Sequence, residues 1–134
     1  MTTSIIYKGS LRCEAIHLQS GTIIETDAPT DNRGKGERFS PTDLICVALA
    51  TCIVTTMGMK AIDMDINLTN TKMEVTKHMA TDPVRRIGKI EIKLILPTTL
   101  KLDEKQMTIM QRVAETCPVK KSLHEDVVVV VEWG

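Results

Sequence analysis

The chain has 134 residues, of which 43% are hydrophobic and 25% charged, a composition typical of one globular domain with a single core. Lys plus Arg and Asp plus Glu both number 17, so the net charge is zero, which argues against a nucleic-acid partner because such proteins carry a basic excess. Only 2% of the residues are aromatic, which disfavours base-stacking surfaces and aromatic ligand cages.

Targeting and disulfide signals are weak. The opening MTTSIIYKGS lacks the basic start and long apolar segment of a signal peptide. The longest apolar run, residues 44–54, has about half of the ~20 residues that a membrane span requires. The four cysteines, Cys13, Cys46, Cys52 and Cys117, show no C-x-x-C spacing. We therefore expect a cytoplasmic protein without membrane contact, whose cysteines are reduced thiols.

The first half of the chain predicts three strands and a long helix. The strands are expected in SIIYKG, RCEAIHL and GTIIETDAP, and the glycine-rich and charged TDNRGKGERF predicts a loop. The helix is predicted over residues 40–64, with Ser40 as N-cap, Pro41 at the first position and Asp43 completing a capping box. Because apolar residues occupy nearly every side, this helix should run through the middle of the core.

The second half predicts two strands, two helices and a final strand. The strands are expected in TNTKMEVTKHM and RRIGKIEIKLILP, and the helices in LDEKQMTIMQRVAET and CPVKKSLHE. The final VVVVVEW has five consecutive valines, which indicates burial on both faces. The order β-β-β-α-β-β-α-α-β indicates an α+β domain with antiparallel sheet wrapped on a central helix.

Two cysteines stand where thiol chemistry could occur. Cys117 precedes a predicted helix start, and Lys120 and Lys121 add positive charge; both features favour the reactive thiolate, although a small buried residue at a turn is the alternative. Cys52 lies about ten residues into the central helix, beyond the reach of its dipole. Judged by position alone, Cys52 is a core cysteine whose burial should raise its pKa.

The segments FSPTDLICVALATC, VTKHMATDPVRRIGKIEIKLILP and AETCPVKKSL resemble the OsmC/Ohr group of thiol-dependent peroxidases, the osmotically inducible and organic hydroperoxide resistance proteins. The resemblance extends from YKGSLRCEAIH to the last strand and is closer to the OsmC-like branch. It implies a single OsmC-like domain over residues 1–134, with antiparallel sheets wrapped on a long central helix. It also implies an intertwined homodimer with active sites at the subunit interface.

The resemblance assigns roles to the two cysteines and to an arginine. Cys52 would attack an organic hydroperoxide, or hydrogen peroxide, and Cys117 would resolve the resulting sulfenic acid as a Cys52–Cys117 disulfide. Arg12 best matches the arginine of the family, which would lower the Cys52 pKa and hydrogen-bond the peroxide oxygens. Arg33 and Arg38, in the glycine-rich loop, are alternatives.

This chain lacks the glutamate that the family has in the turn before the central helix. Where the family has a glutamate after the proline, this chain has Thr42, and Asp43 is next. Asp43 either takes over the catalytic role of that glutamate or only caps the helix. Because the glutamate is missing, a second hypothesis stays open: a non-catalytic OsmC-like protein that binds a small apolar ligand at the dimer interface.

No bound cofactor is expected. A dithiol or lipoyl-type reductant would reopen the disulfide from outside. A metal site that combines the two cysteines with His78 or His124 is a third possibility, but no pair of these residues has zinc-ligand spacing.

Overall fold

The computed structural model describes residues 1–134, which form two compact units, residues 1–45 and 46–134. The strands are β1 (Thr3–Gly9), β2 (Arg12–His17), β3 (Ile23–Asp27), β4 (Lys72–Ala80), β5 (Arg86–Ile95) and β6 (Val128–Trp133). The helices are α1 (Pro41–Asp63), α2 (Glu104–Ala114) and α3 (Pro118–Ser122), and a 3₁₀ turn covers Thr30–Asn32. The predicted order of strands and helices is confirmed.

The first unit contains a three-stranded antiparallel sheet in the order β1-β2-β3. The central strand β2 places Cys13 opposite Tyr7 of β1 and Thr26 of β3. An apolar cavity of about 550 Å³ lies in this unit, and Cys13, Ile5 and Ile24 are among its lining residues. Ile5 and Ile24 remain 63% and 47% exposed.

The loop between β3 and α1 folds back tightly on the end of β3. The N–H of Gly34 donates to the carbonyl of Pro29 at 2.9 Å, and that of Gly36 donates to the carbonyl of Ala28 at 3.2 Å. A Cβ at position 34 would stand 1.7 Å from the Ala28 carbonyl oxygen, so only glycine fits there. The glycine-rich segment is therefore a closed loop with a defined shape.

The start of α1 is the predicted capping box. The Ser40 hydroxyl accepts the Asp43 N–H at 3.0 Å, and the Asp43 carboxylate accepts the Ser40 N–H at 2.9 Å. These two bonds satisfy donors that a helix start otherwise leaves without partners.

In the second unit one face of α1 is buried and the other is not. Leu49, Ile53 and Met57 are fully buried in the core, whereas Met59 and Ile62 are 63% and 78% exposed. By length and composition alone α1 could cross a membrane, a property that it shares with core helices of folded domains. The expectation that α1 is surrounded by core on every side is thus not met within one chain, because the single sheet of this unit covers only one helix face.

The sheet of the second unit has the order β4-β5-β6 and supplies the rest of the core. Ile90, Ile92 and Leu94 of β5 are at most 2% exposed and lie in one cluster with the buried face of α1 and with Met110 of α2. The β4–β5 pair is antiparallel and the β5–β6 pair is parallel. The parallel pair departs from the antiparallel pairing that we predicted; α2 and α3 lie between β5 and β6 in the chain and provide the crossover that a parallel pair needs.

The valine-rich strand β6 is buried on one face only. Val129, Val131 and Trp133 pack against the core, while Val128 and Val130 are 54% and 41% exposed. The prediction of burial on both faces is wrong within this chain, because β6 is an edge strand and the helices cover one side of its sheet.

Candidate active site

Cys52 and Cys117 come together in the second unit. Cys52 projects from α1 and is partly exposed, and Cys117 stands just before α3 and is 0% exposed. Cys117 has the extended backbone of an N-cap (φ −52°, ψ 124°), with Pro118 at the first helical position as the sequence predicts. This turn places the Cys117 thiol where it donates a hydrogen bond to the Cys52 sulfur.

The surroundings of Cys52 favour its thiolate. The Cys117 thiol makes the largest contribution to the lowering of the Cys52 pKa below its ordinary value of 9.0. Partial burial opposes this effect, while the Val119 backbone N–H and the Thr56 hydroxyl, 4.0 Å from the sulfur, add to it. Hydrogen bonds donated to a thiolate stabilise the charged form.

The surroundings of Cys117 favour its neutral thiol. Complete burial raises the Cys117 pKa above the ordinary value, and the hydrogen bond to Cys52 acts in the same direction. The backbone N–H groups of Lys120 and Val119 donate to the Cys117 sulfur and partly oppose the rise. The pair therefore consists of a partly exposed sulfur that readily loses its proton and a buried one that retains it.

Both expectations about cysteine acidity that rested on local position alone are wrong. Cys52 was expected to have a raised pKa, but it is only partly buried and accepts hydrogen bonds from three neighbours. Cys117 was expected to be the more acidic thiol, but its burial outweighs the nearby donors, and the Lys120 ammonium pairs with Glu115.

Arg12 lies in the first unit and is held by a buried carboxylate. Its Nε and Nη2 donate to the two carboxylate oxygens of Asp27, each at 2.8 Å, and its Nη2 lies 3.4 Å from Glu37. Asp27 stands opposite Arg12 in the β2–β3 register and is 1% exposed. The Arg12 guanidinium holds the Asp27 pKa below its ordinary value, and Asp27 raises the pKa of Arg12.

Asp27 is a residue that the sequence reasoning missed. The signal was an arginine at the start of one predicted strand and an aspartate at the end of the next, which meet when the strands pair antiparallel. The Asp27 carboxylate also accepts the Glu37 N–H at 3.1 Å, so it holds the end of the glycine-rich loop against the end of β3.

The other candidate polar residues have local contacts. Arg38 donates to Glu25 at 3.3 Å, and Arg33 is exposed, with a left-handed backbone (φ 70°) after the 3₁₀ turn. Asp43 caps α1 as described above. Which arginine supports Cys52, and whether Asp43 acts in place of the family glutamate, stay predictions.

No group of three or more His, Cys, Asp or Glu side chains is arranged to hold a metal ion. His78 lies 2.6 Å from Glu91 across the β4–β5 pair, and His124 lies 3.5 Å from Asp126. His78 and His124 thus each have a carboxylate neighbour, whereas the neighbour of Cys52 is Cys117.

The sequence profile of the OsmC-like protein family matches residues 34–132. A solved structure from Psychrobacter arcticus 273-4, described as a candidate osmotic stress induced and detoxification response protein, is 48% identical with a TM-score of 0.94. The alignment covers 100% of this chain and 96% of the Psychrobacter chain.

Two more distant solved structures share the fold. An organic hydroperoxide resistance protein OsmC from Legionella pneumophila is 16% identical to this chain, with a TM-score of 0.77. The alignment covers 100% of this chain and 97% of the Legionella chain. OhrB of Bacillus subtilis, also an organic hydroperoxide resistance protein, is 17% identical with a TM-score of 0.69, covering 100% and 98%. No protein with a curated description matches. The predicted OsmC-like α+β fold is confirmed, and the chain belongs to the OsmC-like protein family.

Proposed function

We propose that this protein is a thiol-dependent peroxidase that reduces organic hydroperoxides, with hydrogen peroxide as a further substrate. The observation that carries the proposal is the Cys52–Cys117 pair: a partly exposed sulfur with a lowered pKa in contact with a buried thiol. Two structures with this fold belong to proteins named for organic hydroperoxide resistance, which supports the same substrate class.

The first step uses the acidity of Cys52. Its thiolate attacks one oxygen of ROOH, the O–O bond breaks, and the alkoxide leaves and takes up a proton to become the alcohol. Cys52 is thereby oxidised to a sulfenic acid. Because the thiolate is the nucleophile, the hydrogen bonds from Cys117, Val119 and Thr56 raise the reactive fraction of Cys52 near neutral pH.

The second step uses the contact between the two sulfurs. The Cys117 sulfur attacks the sulfenic sulfur of Cys52, hydroxide leaves with the Cys117 proton as water, and a disulfide forms. Since the two side chains are within hydrogen-bonding reach of one another, the disulfide can form within one chain. An external dithiol or lipoyl-type reductant then returns both cysteines to thiols, and no bound cofactor takes part.

Arg12 is proposed as the cation that binds the peroxide oxygens, because its charge does not titrate and because Asp27 holds its guanidinium in a fixed position. Arg33 and Arg38 are the alternatives. Hydrogen bonds within the second unit already lower the Cys52 pKa, so the main contribution of the arginine would be to the substrate. Asp43 is proposed to replace the glutamate of the family.

The proposed assembly is a homodimer in the cytoplasm. Each unit has exposed apolar side chains, including Ile5 and Ile24 in the first and Met59 and Ile62 in the second. A second copy that covered these faces would remove apolar surface from water.

The apolar cavity of the first unit favours a second candidate function. A cavity of about 550 Å³ is large enough for a small apolar molecule, so a ligand-binding OsmC-like protein without peroxidase activity is the alternative. In that case ligand affinity would be independent of Cys52.

The test is consumption of cumene hydroperoxide with dithiothreitol as reductant. The Cys52→Ser variant should fall to the uncatalysed background, and the Cys117→Ser variant should consume about one equivalent rapidly and then slow, because its sulfenic acid has no internal resolving thiol. Cys46→Ser, which removes a buried thiol from the same helix, is the matched control and should retain turnover. Consumption at the background rate in the wild type would refute the peroxidase assignment and favour ligand binding. Equal turnover above the background in wild type and Cys52→Ser would show that Cys52 is not the attacking residue.

A further inference from the structure

The two cysteines of the pair differ in their exposure to solvent. Cys117 is 0% exposed and lies in the core cluster, while Cys52 is partly exposed and packs at its edge. The proposed cycle needs one sulfur of the Cys52–Cys117 disulfide to be attacked from outside.

We propose that the reductant attacks the Cys52 sulfur, so that Cys52 reacts both with the oxidant and with the reductant, while Cys117 exchanges only with Cys52. This inference rests on the disulfide of the proposed function. In this proposal the cysteine pair exchanges electrons with other molecules only through Cys52.

The exchange balances as follows. A reductant thiolate attacks the Cys52 Sγ, the Cys52–Cys117 bond breaks, and Cys117 leaves as a thiolate that takes up a proton. The product is a mixed disulfide between Cys52 and the reductant. The second thiol of the reductant then attacks the reductant sulfur that is bonded to Cys52. This step releases the Cys52 thiolate and leaves the reductant as a disulfide, oxidised by two electrons.

Leaving-group chemistry alone would favour the opposite attack. In the reduced pair Cys52 has the lower pKa, and a thiol of lower pKa leaves faster. This preference is weakened in the disulfide, because the Cys117 thiol that lowers the Cys52 pKa is then absent. Access opposes this preference, because a nucleophile must contact the sulfur that it attacks, and a fully buried sulfur is contacted only after local opening of the surrounding structure.

Two backbone donors partly offset the poor leaving-group character that burial gives Cys117. The N–H groups of Lys120 and Val119 already donate to its sulfur, so a thiolate formed there by cleavage of the disulfide has two hydrogen bonds from the start. Burial then favours rapid protonation to the thiol, which makes the return attack on the mixed disulfide slower.

The first experiment identifies the trapped adduct. In a Cys13→Ser, Cys46→Ser background, diamide joins the two remaining cysteines without any peroxide. A short pulse of 2-mercaptoethanol is then stopped with acid, free thiols are alkylated, and peptides are identified by mass spectrometry. The expected product carries mercaptoethanol on Cys52 and the alkyl group on Cys117. The reverse pattern, or failure of diamide to join the pair, overturns the proposal.

The second experiment measures access directly. Each sulfur is left as the only cysteine, and its reaction with Ellman's reagent is followed for the native and the urea-unfolded chain. Cys52 should react at least about tenfold faster than Cys117 in the native chain, because Cys117 needs local opening, and the two should react at similar rates in urea. Similar native rates would overturn the proposal. Since neither experiment uses peroxide, an adduct on Cys52 without any peroxide turnover would reject the proposed function and leave the attack assignment standing.

Discussion

At the scale of single residues, the acidity of Cys52 depends on a hydrogen bond from Cys117. The Cys117 thiol is the largest cause of the lowered Cys52 pKa, ahead of the Val119 N–H and the Thr56 hydroxyl. The acidity of the partly exposed Cys52 therefore depends on Cys117 keeping its proton. Once Cys117 is removed or oxidised, Cys52 loses its main hydrogen-bond donor.

Replacing Cys117 with alanine should raise the Cys52 pKa, since the strongest donor is removed. At pH 7 alkylation of Cys52 should then slow several-fold, and it should recover as the pH rises. The measurement is the pH dependence of Cys52 alkylation in a background without Cys13 and Cys46. Thr56→Val, which removes the smallest of the three donor effects, is the matched control and should shift the profile less. An unchanged profile in Cys117→Ala would show that the contact does not set the acidity.

The Asp27–Arg12 pair should make stability depend on pH in the acid range. The folded-state pKa of Asp27 lies below its ordinary value of 3.8, so its contribution to the free energy of unfolding is present above that value and is lost as the pH falls through the folded pKa. Asp27→Asn should be less stable than wild type at pH 7, with a smaller difference in acid. Urea unfolding at both pH values checks this. Glu37→Gln, at a longer distance from Arg12 and more exposed, should change stability less.

The role of Arg12 in turnover must be separated from its role in the fold. Arg12→Ala should reduce peroxide consumption at least about tenfold through loss of a charged donor, but it also leaves the Asp27 carboxylate without its ion pair. The double variant Arg12→Ala, Asp27→Ala removes both charges and should recover stability without recovering turnover. If Arg33→Ala or Arg38→Ala lowers turnover instead, the assignment of Arg12 is wrong.

The sequence alone could not decide which cysteine reacts. Local spacing pointed to Cys117, because a proline and two lysines follow it. The acidity depends instead on burial and on a contact between α1 and the turn before α3, which lie far apart in the chain. The resemblance to the family assigned the attack to Cys52, and the structure gives Cys52 the lower pKa of the two cysteines. The catalytic roles of the two cysteines stay predictions.

At the scale of elements, the start of α1 combines a cap with a proposed catalytic residue. Ser40→Ala removes the hydroxyl that accepts the Asp43 N–H and should cost about 1 kcal/mol of stability while turnover per folded molecule is retained. Asp43→Asn keeps an oxygen for the Ser40 N–H but loses the charge, so stability should change little while turnover falls. Thermal unfolding and peroxide consumption of both variants check this. Full turnover in Asp43→Asn would show that Asp43 only caps the helix.

The limits of sequence prediction are clear in two elements. Proline, capping residues and periodicity gave the helices and strands in the right order, because these signals are local. The valine run of β6 and the apolar surface of α1 were read as buried all round, but which face is covered depends on sheet order and on neighbours distant in sequence. The parallel β5–β6 pair was missed for the same reason.

At the scale of the whole molecule, the proposed dimer makes a direct prediction. Sedimentation at micromolar concentration should give about twice the chain mass of 14.9 kDa, because two copies can cover apolar faces that one leaves exposed. Ile62→Glu, which places a charge on the exposed face of α1, should shift the protein towards a monomer or an aggregate. Lys121→Glu, another exposed position given a negative charge, is the control. A stable folded wild-type monomer would contradict the dimer.

The position of Trp133 has a practical consequence for spectroscopy. It is the only tryptophan, partly buried in the second unit, and Tyr7 is the only tyrosine, in the first unit. The natural chain thus has one intrinsic chromophore of each kind, one in each unit. If residues 1–134 form the single domain that the sequence predicts, Trp133 fluorescence and Tyr7 fluorescence should change at the same urea concentration. Two separate midpoints would instead mean that the units unfold independently, and no label would be needed to see it.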